Sequence, residues 1–588
     1  MNASSAFDIA TRKYTAVVYF HGMGMPRRNE ELSRLTDALD RFSELQDIGT
    51  AGRLRGQNVF FEPSYAPQGD DVTFVSLVRV IHTGQKYKQK GLFRIYEGFW
   101  SPSTAGGYSS LRVFSWFLQR IWNPVEVLFL HRWRAHQRLK LATLYRMCAR
   151  SASTAFEEYC QQLESHYRDF ENWPARRRYA RGTFGEFASS LQLKLSQQQS
   201  HKSSEIQRIA RSWHRQFIWE QLGLLARCIT AAMTGVLVLS WAAWVLLDWT
   251  ALVLNAMHAL PLRMGLGGTL NLSPFVLLLL TVALLGCIRF ARHQLSNFWS
   301  DVMFWSIRRE KDSRYAKRQD ILRSGEAAIL QSLHNPACER IVVIGYSLGS
   351  AIAHECLMRL GRKYLAWQGH QENRPVELDR LKKISHLVTI GSPIDWIHYF
   401  FELDYSRYHH YNRISEQIRG DTNNPPFTFN SKTSTRWINL WDRMDPICSE
   451  LYSPRKRIPN RSSIVDVEVS SSHRPNALAA HQNYLFSERA IRLIFWVIMF
   501  GEVPRDAEVR KEAPVFTAFA RATTWKVVFL MPWLILASLL SLLLNWHRGL
   551  WACLFVFGLT VTILAASQIY GLVLDRKHSL QLNHPPPG

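Results

Sequence analysis

The segment GYSLG at 345–349 places Ser347 between small residues where a strand pattern gives way to a helix pattern. The residues before it, RIVVI at 340–344, are apolar and β-branched, and the residues after it, AIAHECLMRL, have helical periodicity. This order predicts a nucleophile elbow, because small residues permit the tight turn that lifts a serine hydroxyl above a sheet. Ser347 is therefore the candidate nucleophile of an acyl-transfer reaction.

A serine hydroxyl becomes a useful nucleophile when a base accepts its proton and a third group orients that base. After a nucleophile elbow, the acid and then the histidine are expected on loops that follow later strands. Asp445 is predicted to be the acid, because it lies in WDRMDPI directly after the strand pattern RWINL. Asp442, three residues earlier, is its main competitor, and Asp395, after the strand pattern HLVTI, is a weaker one.

Two downstream histidines could serve as the base. His481, in AAHQNYLF, lies at the entry to the last helix pattern of this region and is preferred. His473, in SSSHRPN, lies closer to the strand-like SSIVDVEVS and remains the alternative. His354, seven residues beyond Ser347 on the following helix, is expected to point away from the reacting centre and to be structural.

Backbone amides are expected to bind the oxygen that becomes negative during acyl transfer. The helix that starts at Leu348 offers its amide and the positive end of its dipole. A second donor normally follows an early strand, and the turn HGMG at 21–24 follows the strand pattern YTAVVYF. Its glycines let the backbone approach a substrate carbonyl, so the amide of Met23 is the predicted second donor.

Strand and helix patterns alternate around these residues, which predicts an α/β domain with a largely parallel sheet. A helix is predicted around 72–83 and an amphipathic helix over 484–500. The predicted strands are 14–20, 58–61, 340–344, 386–390, 436–440 and 464–469.

The ordered motifs FHGMG, IGYSLGS, TIGSP, NLWDRMDP and HQNY resemble the α/β-hydrolase superfamily, in particular its lipase-like branch. The resemblance covers residues 14–110 and 315–490, a little under half of the chain. It implies a serine esterase or lipase mechanism that needs no metal or organic cofactor. The roles implied are nucleophile for Ser347, base for His481, orienting acid for Asp445, and oxyanion hole for the amides of Met23 and Leu348.

Long apolar runs predict membrane attachment, since a bilayer core of ~30 Å needs about 20 helical residues. Lys and Arg flank the outer ends of two pairs of runs, whereas the short loops inside the pairs carry only Arg263 and Arg548. This bias predicts two hairpins in a multi-pass integral membrane protein, with the hydrolase part on the cytoplasmic side. The four predicted spans are 228–247, 264–288, 527–546 and 549–574.

The patterns divide the chain into four parts. Residues 14–110 and 315–500 are predicted to form the two parts of the α/β-hydrolase domain, the second with the elbow and the triad. Residues 111–314 form a helical insertion with the first hairpin, and 501–588 carry the second hairpin. Within the insertion, 113–134 interleaves aromatic and basic residues, which fits either a helix in the lipid headgroup plane or one packed on the core.

Composition and charge limit the class of protein and the kind of partner that the chain can have. The chain has 588 residues, 47% of them apolar and 20% charged, which excludes a disordered or fibrous protein. Its net charge of +24 suggests an anionic partner. No nucleic-acid-binding motif is present, so the predicted partners are the lipid bilayer and a membrane lipid or acylated substrate. A thioesterase, an acyltransferase, a peptidase with the same triad, and a non-catalytic membrane scaffold remain alternatives.

Overall fold

The computed structural model describes the strands and helices of an α/β domain. Short stretches and single positions between 143 and 289 are also described. The main described ranges are 13–24, 26–46, 59–65, 72–82, 90–101, 109–120, 299–306, 313–367, 376–397, most of 422–451, 464–469 and 477–502.

The described strands form one large sheet and one small hairpin. The strands are β1 (Tyr14–Phe20), β2 (Val59–Tyr65), β3 (Val72–His82), β4 (Lys90–Gly98), β5 (Cys338–Tyr346), β6 (Ile384–Ile390), β7 (Thr428–Phe429), β8 (Lys432–Thr433), β9 (Arg436–Trp441) and β10 (Ile464–Glu468). The large sheet has the order β10-β9-β6-β5-β1-β4-β3-β2, and β7 pairs with β8. From β10 to β4 each strand is parallel to its neighbours. Strand β3 is antiparallel to both of its neighbours, β4 and β2. The predicted α/β class with a mostly parallel sheet is confirmed.

Helices cover both faces of the sheet. Helices α2 to α5 contribute to the core on one face, and α1 and α9 contribute to the core on the other. Short 3-10 turns occur at Arg380–Lys383 and Tyr484–Phe486. The helices are α1 (Glu30–Gln46), α2 (Ser110–Arg120), α3 (Ser300–Trp305), α4 (Ser313–His334), α5 (Leu348–Ala366), α6 (Val376–Asp379), α7 (Ile394–Trp396), α8 (Ala477–Gln482) and α9 (Glu488–Phe500).

Strand β1 lies in the middle of the sheet and is buried on both faces. Ala16, Val18 and Phe20 belong to the core beneath α4 and α5, and Val17 and Tyr19 belong to the core beneath α1 and α9. A strand between two helical layers has no solvent face, which explains why its sequence is an apolar run without alternation.

The predicted single helix over 484–500 is two elements in the structure. The turn Tyr484–Phe486 comes first, and α9 begins after Ser487, whose side chain accepts a hydrogen bond from the Ala490 amide at 3.4 Å. Serine is a favoured residue at this position because its oxygen satisfies a free amide of the first helical turn. The break at Ser487 leaves Tyr484 outside the helix and directs it towards the sheet.

The predicted helix at 72–83 is wrong, because these residues form β3. Its sequence, VTFVSLVRVIH, is rich in β-branched residues, which fit a pleated strand better than a helix. It pairs with β2 and β4 in antiparallel register. The strand predicted at 58–61 extends to Tyr65, and β4 was not predicted.

None of the helices in the described ranges is long and apolar enough to cross a membrane. The four predicted spans lie outside the described residues, except for Thr281, Val282 and Leu285 within 264–288. Residues 503–588 lie outside them as well.

The segment 113–134 is described only as far as Arg120, the last residue of α2. Val113 and Trp116 are buried in the core beneath α4 and α5. This part of the segment therefore packs on the α/β domain, which was one of its two expected placements.

Candidate active site

The loops that leave β1, β5 and β9 carry Met23, Ser347 and Asp445, and His481 lies in α8. Strands β1, β5, β6 and β9 are neighbours and parallel, so their carboxyl ends meet at one edge of the sheet. Ligands of open α/β sheets bind outside this edge. The turn at 21–24 follows β1, Ser347 follows β5, Gly391 follows β6 and Asp445 follows β9.

Ser347 occupies a strained turn between β5 and α5. Its backbone has φ 51° and ψ −126°, a region that L-residues rarely adopt and that costs about 1–3 kcal/mol. The amide of Ser347 donates to the carbonyl of Ile390 at 2.8 Å, and Ser350 Oγ donates to the carbonyl of Gly345 at 2.7 Å. These bonds hold the turn that the sequence motif predicts.

The two glycines of the motif are required by close backbone contacts. A Cβ on Gly345 would lie 2.5 Å from Ser350 Cα. A Cβ on Gly349 would lie 2.4 Å from the carbonyl oxygens of both Phe20 and His21. The start of α5 is therefore pressed against the end of β1, and only glycine fits at these positions.

Ser347, His481 and Asp445 form one buried hydrogen-bonded chain. Ser347 Oγ donates to His481 Nε2 at 2.8 Å, and His481 Nδ1 donates to Asp445 Oδ2 at 2.7 Å. The three residues are only 1%, 3% and 3% exposed. With its proton on Nδ1, the imidazole has a free lone pair on Nε2 that can accept the serine proton.

The Asp445 carboxylate is fixed by contacts on both oxygens. Oδ1 accepts a hydrogen bond from the Ile447 amide at 2.8 Å, and Oδ2 accepts a second one from the Tyr484 hydroxyl at 3.0 Å. Asp442 supports the loop through its backbone, since its carbonyl accepts from the Asp445 amide at 3.0 Å and its amide donates to Tyr484 Oη at 2.8 Å. Asp395, the weaker competitor, lies in α7.

Tyr484 and Tyr346 contact the triad, although sequence reasoning did not assign them a role. The hydroxyl of Tyr346 donates to the carbonyl of His481 at 2.5 Å, and the two rings are nearly parallel with centroids 5.9 Å apart. Burial raises the pKa of both tyrosines well above the usual value, so their hydroxyls stay protonated and donate. Tyr346 directly precedes Ser347 in the motif GYSLG, and Tyr484 lies three residues after His481 in HQNY.

Gly391 is a third residue that sequence reasoning missed. It has φ 59°, and a Cβ there would lie 3.0 Å from the Tyr484 ring and 3.3 Å from both Asp445 Oδ2 and His481 Cε1. A side chain at this position would enter the space between acid and base. The motif TIGSP contained the signal, since a glycine directly after a buried strand often marks such a close approach.

The turn at 21–24 lies against Ser347. A Cβ on Gly22 would lie 3.2 Å from Ser347 Cβ, so this glycine permits the close approach. Met23 follows Gly22 directly and is half-buried. Leu348 begins α5, and an amide in the first helical turn has no acceptor within its own helix. The structure thus brings the turn with Met23 and the helix start with Leu348 to the same serine.

His21 anchors the start of this turn. Its ring stacks on Trp100 with centroids 4.6 Å apart, and its Nε2 accepts from the Trp100 amide at 3.3 Å. Its Nδ1 donates to the Gly22 carbonyl at 2.9 Å, and its own carbonyl accepts from Trp100 Nε1 at 3.1 Å. Burial lowers the pKa of His21 to about 4, which keeps the ring neutral and Nε2 able to accept.

The other candidate histidines are His354 and His473. His354 is buried in the core on α5, with its ring 4.8 Å from that of Trp437, as expected for a structural residue. His473 lies outside the described residues. Among the residues that the structure describes, no group of His, Cys, Asp or Glu side chains could hold a metal ion.

The site thus has a serine that is hydrogen-bonded to a histidine and lies beside two backbone segments, the turn at 21–24 and the start of α5. The reaction is inferred from this geometry, since no protein-family model, curated protein or solved structure matches this chain.

Proposed function

We propose that this protein is a serine hydrolase of the α/β-hydrolase type that cleaves carboxylic esters, with membrane lipid or an acylated membrane-partitioned molecule as its substrate. The observation that carries the proposal is the buried chain from Ser347 Oγ through His481 to Asp445, with bonds of 2.8 and 2.7 Å. Such a chain activates a serine that would otherwise be a weak nucleophile.

In the proposed reaction, His481 Nε2 accepts the hydroxyl proton as Ser347 Oγ attacks the ester carbonyl. The amides of Met23 and Leu348 bind the oxygen that becomes negative, and protonated His481 then gives its proton to the leaving alcohol. Water, deprotonated in turn by His481, attacks the acyl-enzyme, and His481 then gives this proton to Ser347 Oγ as the carboxylic acid is released. The Asp445 carboxylate stabilises the imidazolium.

The proposal of a lipid substrate is supported by the apolar runs and by the net charge of +24. Within the run 264–288, Val282 and Leu285 are helical and remain 60% and 59% exposed. Apolar side chains exposed one turn apart on a helix are compatible with contact to lipid. Anchoring would raise the effective concentration of a lipid substrate at the serine.

The test is covalent labelling of Ser347 by a fluorophosphonate, in detergent and in liposomes, with release of fatty acid from phospholipid vesicles measured in parallel. Ser347→Ala should abolish both signals. Ser332→Ala is the matched control, because Ser332 is an equally buried serine on α4 whose hydroxyl donates to the Ile329 carbonyl at 2.7 Å. This variant should keep both signals.

The other results separate the alternatives. Labelling without release of fatty acid would point to another acyl substrate, as in a thioesterase, an acyltransferase or a peptidase. Folded wild-type protein that does not label would make a non-catalytic membrane scaffold the better account.

A further inference from the structure

The carboxylate of Asp301 holds the end of the turn that follows β1. Asp301 Oδ2 accepts a hydrogen bond from the Gly24 amide at 2.8 Å, and Asp301 is only 3% exposed. The two residues are 277 positions apart in the chain. Asp301 belongs to α3 and lies 13 residues after the end of the predicted span 264–288. The predicted insertion therefore contributes a side chain to the surroundings of the candidate site.

Helix α3 is fixed in the core, so the position of this carboxylate is fixed too. All six residues of α3 are buried, and Val302, Met303 and Trp305 belong to the core beneath α4 and α5. Arg318 on α4 donates through Nε to the Trp305 carbonyl at 3.1 Å, and its guanidinium lies 4.5 Å from the centre of the Trp305 ring.

The turn needs such a restraint because glycine gives it conformational freedom. Gly24 has φ 106°, and a Cβ on it would meet nothing within 4 Å. Glycine is thus required there for backbone conformation and not for space. At the other end of the turn, His21 is held by Trp100. Met23 lies between the two anchored residues. The bond to the Gly24 amide restrains the peptide group between Met23 and Gly24, which is adjacent to the peptide group that carries the Met23 amide.

We infer that Asp301 is a positioning residue, which fixes the turn at 21–24 so that the Met23 amide is aimed at the substrate oxygen. This inference rests on the proposed function, because it gives Asp301 a role in acyl transfer. Asp301 acts through Gly24 and does not touch the substrate. The insertion at 111–314 is then part of the hydrolytic site and not only a membrane attachment.

The experiment compares Asp301→Ala, Asp301→Asn and Ser306→Ala in the full-length protein, with a soluble short-chain ester as substrate. Asp301→Ala should lower kcat about 10- to 100-fold and leave KM nearly unchanged. This loss of kcat is smaller than the roughly 10²- to 10³-fold loss expected when an oxyanion donor is removed. Asp301→Asn keeps an acceptor oxygen and should recover most of kcat. Ser306→Ala removes a 3.0 Å hydrogen bond to Met303 at the end of the same helix and should leave kcat unchanged.

Hydrogen exchange of the peptide that contains Gly24 gives a readout independent of activity. Asp301→Ala should speed exchange there and leave exchange in β5 unchanged. The inference is overturned if kcat survives in Asp301→Ala, if Ser306→Ala lowers kcat as much, or if exchange at Gly24 does not change. Failure of the wild-type protein to label or to cleave esters would overturn the proposed function instead, and exchange at Gly24 would still report whether Asp301 holds the turn.

Discussion

The hydroxyl of Tyr484 donates to Asp445 Oδ2 at 3.0 Å, and this is the same oxygen that accepts from His481 Nδ1. One carboxylate oxygen therefore has two donors, while Oδ1 is occupied by the Ile447 amide. Because the carboxylate is held at three points, it cannot rotate away from the imidazole without breaking buried hydrogen bonds. We regard Tyr484 as the residue that orients the acid.

Tyr484→Phe should lower kcat by about tenfold, because a hydrogen bond to a charged group contributes roughly 1.5–3 kcal/mol and only part of this is lost when His481 still holds the carboxylate. The variant should also be less stable, since the Asp442 amide that donates to the hydroxyl at 2.8 Å loses its acceptor. Steady-state ester hydrolysis and the rate of fluorophosphonate labelling both measure the effect.

The control is Tyr14→Phe at the start of β1. Tyr14 is also buried, and its hydroxyl forms a 3.0 Å hydrogen bond with the hydroxyl of Tyr96. Loss of this bond should lower the free energy of unfolding and leave kcat unchanged. Equal losses of kcat in the two variants would mean that Tyr484 supports only the fold.

The choice between the two aspartates of WDRMDPI gives a second prediction. Asp445→Asn should lower kcat by about 10³- to 10⁴-fold, because an amide NH₂ facing His481 Nδ1 would favour the wrong imidazole tautomer. Asp442→Asn should leave kcat within about tenfold of wild type, because the hydrogen-bonded chain from Ser347 through His481 ends on the Asp445 carboxylate. Measured kcat values on one soluble ester decide the matter, and the reverse ranking would make Asp442 the acid.

Local sequence patterns picked out the three side chains that the structure joins by hydrogen bonds, and their role in acyl transfer stays a prediction. Ser347 is marked by a strand, a glycine-flanked turn and a helix, and Asp445 and His481 follow later strands in the expected order. Tyr484 was not predicted, because its contact with Asp445 depends on the 3-10 turn that breaks the predicted helix before Ser487.

Long-range contacts were the other limit of prediction. The bond between Asp301 and Gly24 joins residues 277 positions apart, and no local pattern indicates it. The prediction of β3 as a helix failed for a different reason, since its own sequence is rich in β-branched residues and favours the strand that pairs with β2 and β4.

A third prediction concerns pH and His21. Burial lowers the pKa of His21 from 6.5 to about 4. Between these values the unfolded chain binds a proton that the native protein does not. The contribution of His21 to the free energy of unfolding is therefore fully present above pH 6.5. It is lost as the pH falls towards 4, by up to ~1.4 kcal/mol per pH unit.

Thermal midpoints of wild type and His21→Asn between pH 7 and 4.5 test this contribution. The variant has no titrating ring, so its midpoint should fall less steeply with acid. His386 is also buried, and its pKa is lowered to about 4. The thermal midpoint should therefore still depend on pH to some extent in both proteins. Parallel curves would show that His21 does not take up a proton on unfolding.

Gly391→Ala should damage the site more than the fold. Alanine at φ 59° is strained by about 1 kcal/mol, and its Cβ would lie 3.0 Å from the Tyr484 ring and 3.3 Å from Asp445 Oδ2. The ring must then move, which weakens the bond that orients the acid. We expect kcat per folded molecule to fall about tenfold, with a small loss in thermal midpoint.

Gly501→Ala is the control for backbone strain away from the candidate site. Gly501 ends α9 with φ 67°, and its added Cβ would displace the Arg340 guanidinium, which donates to the Ile498 carbonyl and to Thr15 Oγ1. It should lower the thermal midpoint and leave kcat per folded molecule unchanged. Because Gly391→Ala and Tyr484→Phe disturb the same bond, their combined effect on kcat should be smaller than the product of the single effects. A fully multiplicative double variant would mean that Gly391 acts on His481 directly and not through Tyr484.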